Sequence, residues 1–445
     1  MRSTLFLLLI AAAVLQASYV TLTENAGVNR NNEIVSVGIP LRMGEIPNQV
    51  MGTEAPLGIS GIPAQFKVLS NWYDGSARFV LATFKQNFSS GESKQVYFGK
   101  GGGNASQTEL VLTDRNDTLT INTGLIRVEL LKGKKFNMVN RAWRGSNLIV
   151  DNSGSGGLII KQFKDSYNDS LTFRGAALTD SFIVEESGPV RSCVYVVGRF
   201  YHDTIQMKAS GEVTCNTPSL KQPPPYVRFM VRIYTFSGSD EIKITTVLHN
   251  SGQNGSQGTG SGSGGPFTFT LLDTMSKTFS LCEDSPQRLW FTEFYYDMKT
   301  AIGSSKTVTT ENGVSASLSG SDRFSFLQGK PDMYYVFQNG AQTATGGKGM
   351  GYIDVKSGSS GIAAALKYCW EAYPKRLDVL GDTLRINLFP RDISPEKRRQ
   401  QSLLVYSNKT PAYQLRFDSC YHIAPGSWYR SDVAFRLHDG NCNPA

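Results

Sequence analysis

Apolar and polar residues alternate along most of this chain, in short segments rich in Val, Ile, Phe, Thr and Tyr. Clusters of Gly, Asn, Asp and Ser separate them, the pattern of half-buried strands joined by turns. Two segments predict a register. In the first, Asp74-Gly75 reads as a two-residue turn, because a primed turn needs positive φ at both central positions. Folding there sets Trp72 opposite Ala77, Ser70 opposite Phe79 and Val68 opposite Leu81, an almost wholly apolar face. In the second, Ser237-Gly238-Ser239-Asp240 turns residues 226–236 back on 241–250. Thr235 then pairs with Ile242, Ile233 with Ile244, Val231 with Thr246 and Phe229 with Leu248, a core face. The opposite face pairs Tyr234 with Lys243, Arg232 with Thr245 and Arg228 with His249, so one side is packed and the other wetter.

The pattern implies an all-β protein of two modules, a small barrel over 18–103 and a large β-sandwich over 104–392. A short irregular C-terminal tail, 393–445, follows, with a helical candidate at 395–406 and a disulfide loop. Gly101-Gly102-Gly103 marks the boundary between modules. Residues 251–265 are almost entirely Gly, Ser, Asn, Gln and Thr and read as a flexible loop inside the second module.

Residues 1–17 have the form of a signal peptide. Arg2 precedes an apolar run from Leu5 to Leu15, too short to span a bilayer. The mature protein is therefore expected to be secreted and extracellular. Six cysteines agree with that compartment. Their pairing is open from sequence, and proximity along the chain suggests Cys193–Cys215, Cys282–Cys369 and Cys420–Cys442. Asn-x-Ser/Thr sequons occur at Asn87, Asn104, Asn116, Asn168, Asn254 and Asn408, only mildly more than composition alone would give. No Cys-x-x-Cys or His-rich spacing exists, so neither a metal nor a cofactor is expected.

A formal charge of +8 and a pI near 9.0 favour acidic partners, such as polyuronates or anionic matrix glycans. Nucleic acid is not expected, since the chain is expected to be exported and its only run of three consecutive basic residues is Lys397-Arg398-Arg399. Elimination across a uronate needs a cation to neutralise the carboxylate, a base for the α-proton and an acid for the leaving oxygen. The histidines are His202, His249, His422 and His438. Of these, His249 is the one catalytic candidate, because the hairpin register puts it beside Arg228; its alternative is ordinary cross-strand packing. Arg228, Arg232, Tyr234 and Lys243 form a basic and aromatic stripe suited to sugar, since aromatic faces stack on C–H groups and guanidinium forks grip carboxylates. The same stripe could instead pack on a neighbouring module, with its stems lying flat. Trp370 and Tyr373 lie in the densest aromatic–basic segment, Lys367 to Arg376, where Pro374 implies an edge or loop. They are either sugar-binding or core. Glu185-Glu186 suggests a carboxylate pair, but adjacent strand residues point to opposite faces and cannot flank one bond.

Three segments carry a resemblance. They are Asn71-Trp72-Tyr73-Asp74-Gly75-Ser76-Ala77-Arg78, Val184-Glu185-Glu186-Ser187-Gly188-Pro189-Val190-Arg191, and Tyr368-Cys369-Trp370-Glu371-Ala372-Tyr373-Pro374. In that order and spacing the chain resembles the exo-rhamnogalacturonan lyases and their YetA-like relatives over about residues 25–392. The resemblance implies that the first module is a RIFT-type barrel and the second a β-sandwich. It also implies a C-terminal α/α toroid, for which too few residues follow Asp392. The expected function is thus a non-catalytic, carbohydrate-associated or structural glycoprotein. The alternatives are a lyase acting on rhamnogalacturonan or another acidic polysaccharide, and a self-assembling coat or filament subunit, since homo-oligomers are compatible with exposed sheet edges.

Overall fold

The computed structural model describes residues 18–101, 109–133, 135–153, 155–163, 172–202, 206–207, 213–214, 227–250, 289–291, 293–391, 421–423, 427–440 and 442. The expected leader at 1–17, the expected loop at 251–265 and the helical candidate at 395–406 lie outside the described residues. So do Cys215, Cys282, Cys420 and the sequons at Asn104, Asn168, Asn254 and Asn408. The protein is all-β: among the described residues the one helical element is a 3-10 turn at Glu311–Gly313. Contacts divide the chain into two units, Met1–Thr108 with Gly188–Arg191, and Glu109–Ser187 with Ser192–Ala445.

In the first unit two antiparallel sheets share one core. Arg30–Pro40, Ala77–Phe88 and Ala64–Asn71 form one; Ser18–Thr23, Ser93–Lys100 and Leu57–Gly58 form the other. Ile39, Phe66, Val80, Phe84 and Phe98 are among the buried side chains between them. Gln65 is buried as well, and its Oε1 accepts the backbone N–H groups of Val190 and Arg191 at 3.2 and 2.8 Å.

The first hairpin corrects the predicted register. Ser70 does oppose Phe79, but Val68 pairs with Val80 and Asn71 with Ala77, with irregularities on both sides of Ser70. The turn is one residue longer than a primed turn. Gly75 N–H donates to Trp72 O at 3.0 Å and Trp72 N–H to Ser76 O at 2.8 Å. Only Gly75 of the loop has positive φ, +81°. This is a three-residue loop closed by a glycine bulge, so Trp72 leaves the ladder. Its indole N–H instead reaches Leu41 O at 3.1 Å.

The second unit holds a five-stranded sheet over residues 111–151 and a sixteen-stranded antiparallel sheet. Their buried faces join in one core, from Leu119, Val128 and Ile149 to Phe229, Ile244 and Phe435. Within the long sheet the local order is Ser360–Leu366, Trp428–His438, Glu241–Asn250, Val227–Phe236, Arg191–His202 and Thr172–Ser187. The hairpin Val227–Phe236/Glu241–Asn250 has all seven pairings that its alternation predicts. Phe229, Val231, Ile233, Ile242, Ile244 and Leu248 are buried on one face.

The tail is a second correction. Trp428–His438 is not an irregular appendage but an interior strand, bonded to Glu241–Asn250 on one side and Ser360–Leu366 on the other. Its own alternation is the reason. Val433, Phe435 and Leu437 are buried, while Trp428, Arg430 and Arg436 point outward between them.

Each expected disulfide has one cysteine among the described residues and one outside them. Cys193, Cys369 and Cys442 are free thiols. The Cys193 thiol donates to Glu185 Oε2 at 3.4 Å, and Cys369 is packed in the core.

Candidate functional site

Three adjacent strands set side chains in rows across the open face of the long sheet. Directly opposed residues share a face, so Arg228, His249 and Trp428 form one row. Met230, Val247 and Arg430 form the next, then Arg232, Thr245 and Asp432, then Tyr234, Lys243 and Ala434. Beyond them Glu241 opposes Arg436. Arg228, Lys243, Arg430 and Arg436 are exposed, and Trp428 retains 62% of its surface. Of the four residues of the predicted stripe, which share one face, Arg228 and Lys243 are exposed while Arg232 and Tyr234 are half-buried.

Its members differ in what they can still do. Arg232 is committed: Nε and Nη2 donate to the two oxygens of Glu185 at 2.7 and 2.9 Å. The same guanidinium lies 4.2 Å over the Tyr195 ring. Glu185 holds the guanidinium pKa above its usual value, although partial burial opposes this. Glu185 reaches Arg232 because a bulge interrupts the strand between Val184 and Glu186. There the alternation rule used for the adjacent glutamates is suspended. Both carboxylates act on the buried Cys193, whose thiol pKa is pushed up first by burial and then by Glu185 and Glu186.

Lys243 sits 3.2 Å from Glu241 and 5.4 Å from the Phe236 ring centroid. Arg430 is 3.1 Å from Asp432, whose Oδ1 also accepts the Thr245 hydroxyl at 2.5 Å. Arg436 shares Asp240 with Arg144, at 3.0 and 2.9 Å. The pairs of Lys243 and Arg430 lie at the surface and are loosely held, whereas the Asp240 that Arg436 shares is itself buried.

Trp370 and Tyr373 do not join this face. Both are half-buried in the turn segment after Ser360–Leu366, with Lys348 4.1 Å over the Trp370 ring. The same segment leads into Lys375, a buried amine that sequence reading passed over. Lys375 Nζ donates to the carbonyls of Ala372 and Pro374, the latter at 3.1 Å, and lies 5.1 and 5.3 Å from the rings of Phe389 and Tyr429. Burial lowers its pKa to about 7. Burial likewise pushes Cys369 up to about 12.

His438 is no free base. Its Nδ1 accepts the Gly440 N–H at 3.2 Å, so Nε2–H donates to Asp354 Oδ1 at 2.7 Å, both side chains buried. Of the sequons, Asn87 and Asn116 are described and both are exposed. Among the described residues no cluster of His, Cys, Asp or Glu could hold a metal ion. Nor, among them, is any helix long and apolar enough to cross a membrane.

Sequence reasoning missed Trp428, Arg430 and Arg436. The signal was present as alternation from Trp428 to Leu437, but it sat in a segment assigned to a tail.

No protein-family model matches the chain. No curated protein matches it either. Among solved structures it is similar to a glycosyl hydrolase family 38 protein from Enterococcus faecalis, at 9% identity and a TM-score of 0.47, over 95% of this chain and 44% of that one. It thus spans less than half the length of that protein. A galactose mutarotase-like protein from Lactobacillus casei is similar at 9% identity and a TM-score of 0.30, over 74% of this chain and 100% of that one. Likeness at this level leaves function to be argued from the residues.

Proposed function

We propose that this is a secreted, carbohydrate-associated protein related to the exo-rhamnogalacturonan lyases, which holds acidic polysaccharide on the open face of its long sheet without cleaving it. One observation carries the reading: an exposed indole, Trp428, stands in register with His249 and Arg228, flanked by the exposed cations Arg430, Lys243 and Arg436. The indole offers a π face to sugar C–H groups, and the cations offer charge to uronate carboxylates. Arg232 contributes to the shape of the face, not to the ligand, because Glu185 occupies its fork.

A second reading rests on the Arg228–His249 pair, which could supply the neutralising cation and the base of a β-elimination. Calorimetric titration with polygalacturonate and with rhamnogalacturonan tests the first reading. Binding should weaken steeply as salt rises from about 20 to about 300 mM, where fields between exposed charges are screened. Arg228→Ala and Trp428→Ala should each weaken it about three- to tenfold. Unchanged binding in both variants would move the site elsewhere. A steady rise in unsaturated-uronate absorbance that disappears in His249→Ala would replace binding with lyase activity.

A further inference from the structure

A chemically different surface lies on the first unit. Strands Ser18–Thr23 and Ser93–Lys100 pair with Tyr19 opposite Tyr97, Thr21 opposite Gln95 and Thr23 opposite Ser93. Alternation turns Val20, Leu22, Val96 and Phe98 to the core. The other six residues are exposed, the tyrosines by 53% and 51%. Their ring centroids are 5.5 Å apart and tilted by 47°. The face is ordered from within: the Tyr97 hydroxyl donates to Gln95 Oε1 at 2.7 Å, and the hydroxyls of Thr23 and Ser93 are bonded at 2.8 Å.

What this face lacks narrows its partner. None of the six side chains is charged, and Lys94, on the opposite parity, is 3.2 Å from Glu92 and donates to Asn87 O. A polyuronate would require cations here. A stable protein interface buries about 800 Å² on each partner, several times what six side chains on two short strands present. The face offers instead two aromatic rings and a line of hydroxyl and amide groups over about 14 Å, at ~3.4 Å per residue. We infer that Tyr19, Thr21, Thr23, Ser93, Gln95 and Tyr97 form a second glycan site, which binds a neutral oligosaccharide. One sugar ring lies on the tyrosine pair, and its neighbours bond to Gln95 and the hydroxyls of Thr21, Thr23 and Ser93. This site does not rest on the cationic face of the second unit.

The test is calorimetric titration of the full chain with β-1,4-linked galacto-, gluco- and manno-hexasaccharides. At least one should bind, with an affinity that salt does not change. Tyr19→Ala and Tyr97→Ala should each weaken it about tenfold, whereas Tyr97→Phe, which keeps the ring, should retain most of it. Arg228→Ala and Trp428→Ala should leave it unaltered. The inference fails if none of the three hexasaccharides binds, or if the double variant Tyr19→Ala/Tyr97→Ala binds as tightly as the parent. It fails equally if sedimentation shows a dimer that the double variant abolishes, for then a second copy covers the face.

Discussion

Burial of Lys375 leaves its amine two backbone carbonyls and two aromatic rings in place of water. The amine is held near pKa 7, against 10.5 for an ordinary lysine. Between those values the unfolded chain keeps a proton that the folded protein has lost. Stability should therefore rise with pH across that window, by about 1.4 kcal/mol per unit at most, and be flat below it. Lys375→Met should raise stability near neutral pH and remove this slope, so its advantage in urea denaturation should shrink as pH rises. An advantage independent of pH would show that the folded amine is already charged. Gly198 is a stricter constraint. A Cβ there would lie 2.0 Å from Leu178 O and 2.5 Å from the Phe229 ring. Gly198→Ala should cost about 1–3 kcal/mol or more by overpacking, read as a lower urea midpoint. Arg232→Ala should reduce stability by about 1–3 kcal/mol, because Glu185 loses two charge-assisted hydrogen bonds. Arg228→Ala, at an exposed position, should leave the midpoint nearly unchanged.

At the scale of elements, the C-terminal strand is the sharpest claim. Phe435 is fully buried between two hydrogen-bonded neighbours, and Phe435→Ala should cost about 3–5 kcal/mol in equilibrium unfolding. A cost below about 1 kcal/mol would return residues 428–438 to the periphery. What sequence made legible follows one physical rule. Where alternation ran unbroken on both arms, as in Val227–Phe236/Glu241–Asn250, every pair was readable, and so was the cationic stripe. Where a bulge intervenes, at Gly75 or Glu185, the period of two fails locally and so does inference from it. The strand at 428–438 alternates as cleanly as the hairpin, but its partners lie far away in sequence, and no local turn advertises them. Cysteine pairing and the buried Lys375 depend on distances that only tertiary packing sets.

On the scale of the whole molecule, two β units carry two kinds of surface: cationic with a lone indole on the second, uncharged with paired tyrosines on the first. Salt should weaken binding to the first kind of surface and leave the second unchanged, and a single binding experiment at two ionic strengths would separate them. The position of Trp428–His438 has a further consequence for how the protein is made. A ribosome delivers strands in order, yet the strand that joins Glu241–Asn250 to Ser360–Leu366 emerges after both. Until then each neighbour presents an open row of backbone donors and acceptors, which is an invitation to pair with another nascent chain. Chaperones should therefore be held longest on chains stalled just before Trp428, and their release should coincide with the arrival of Leu437.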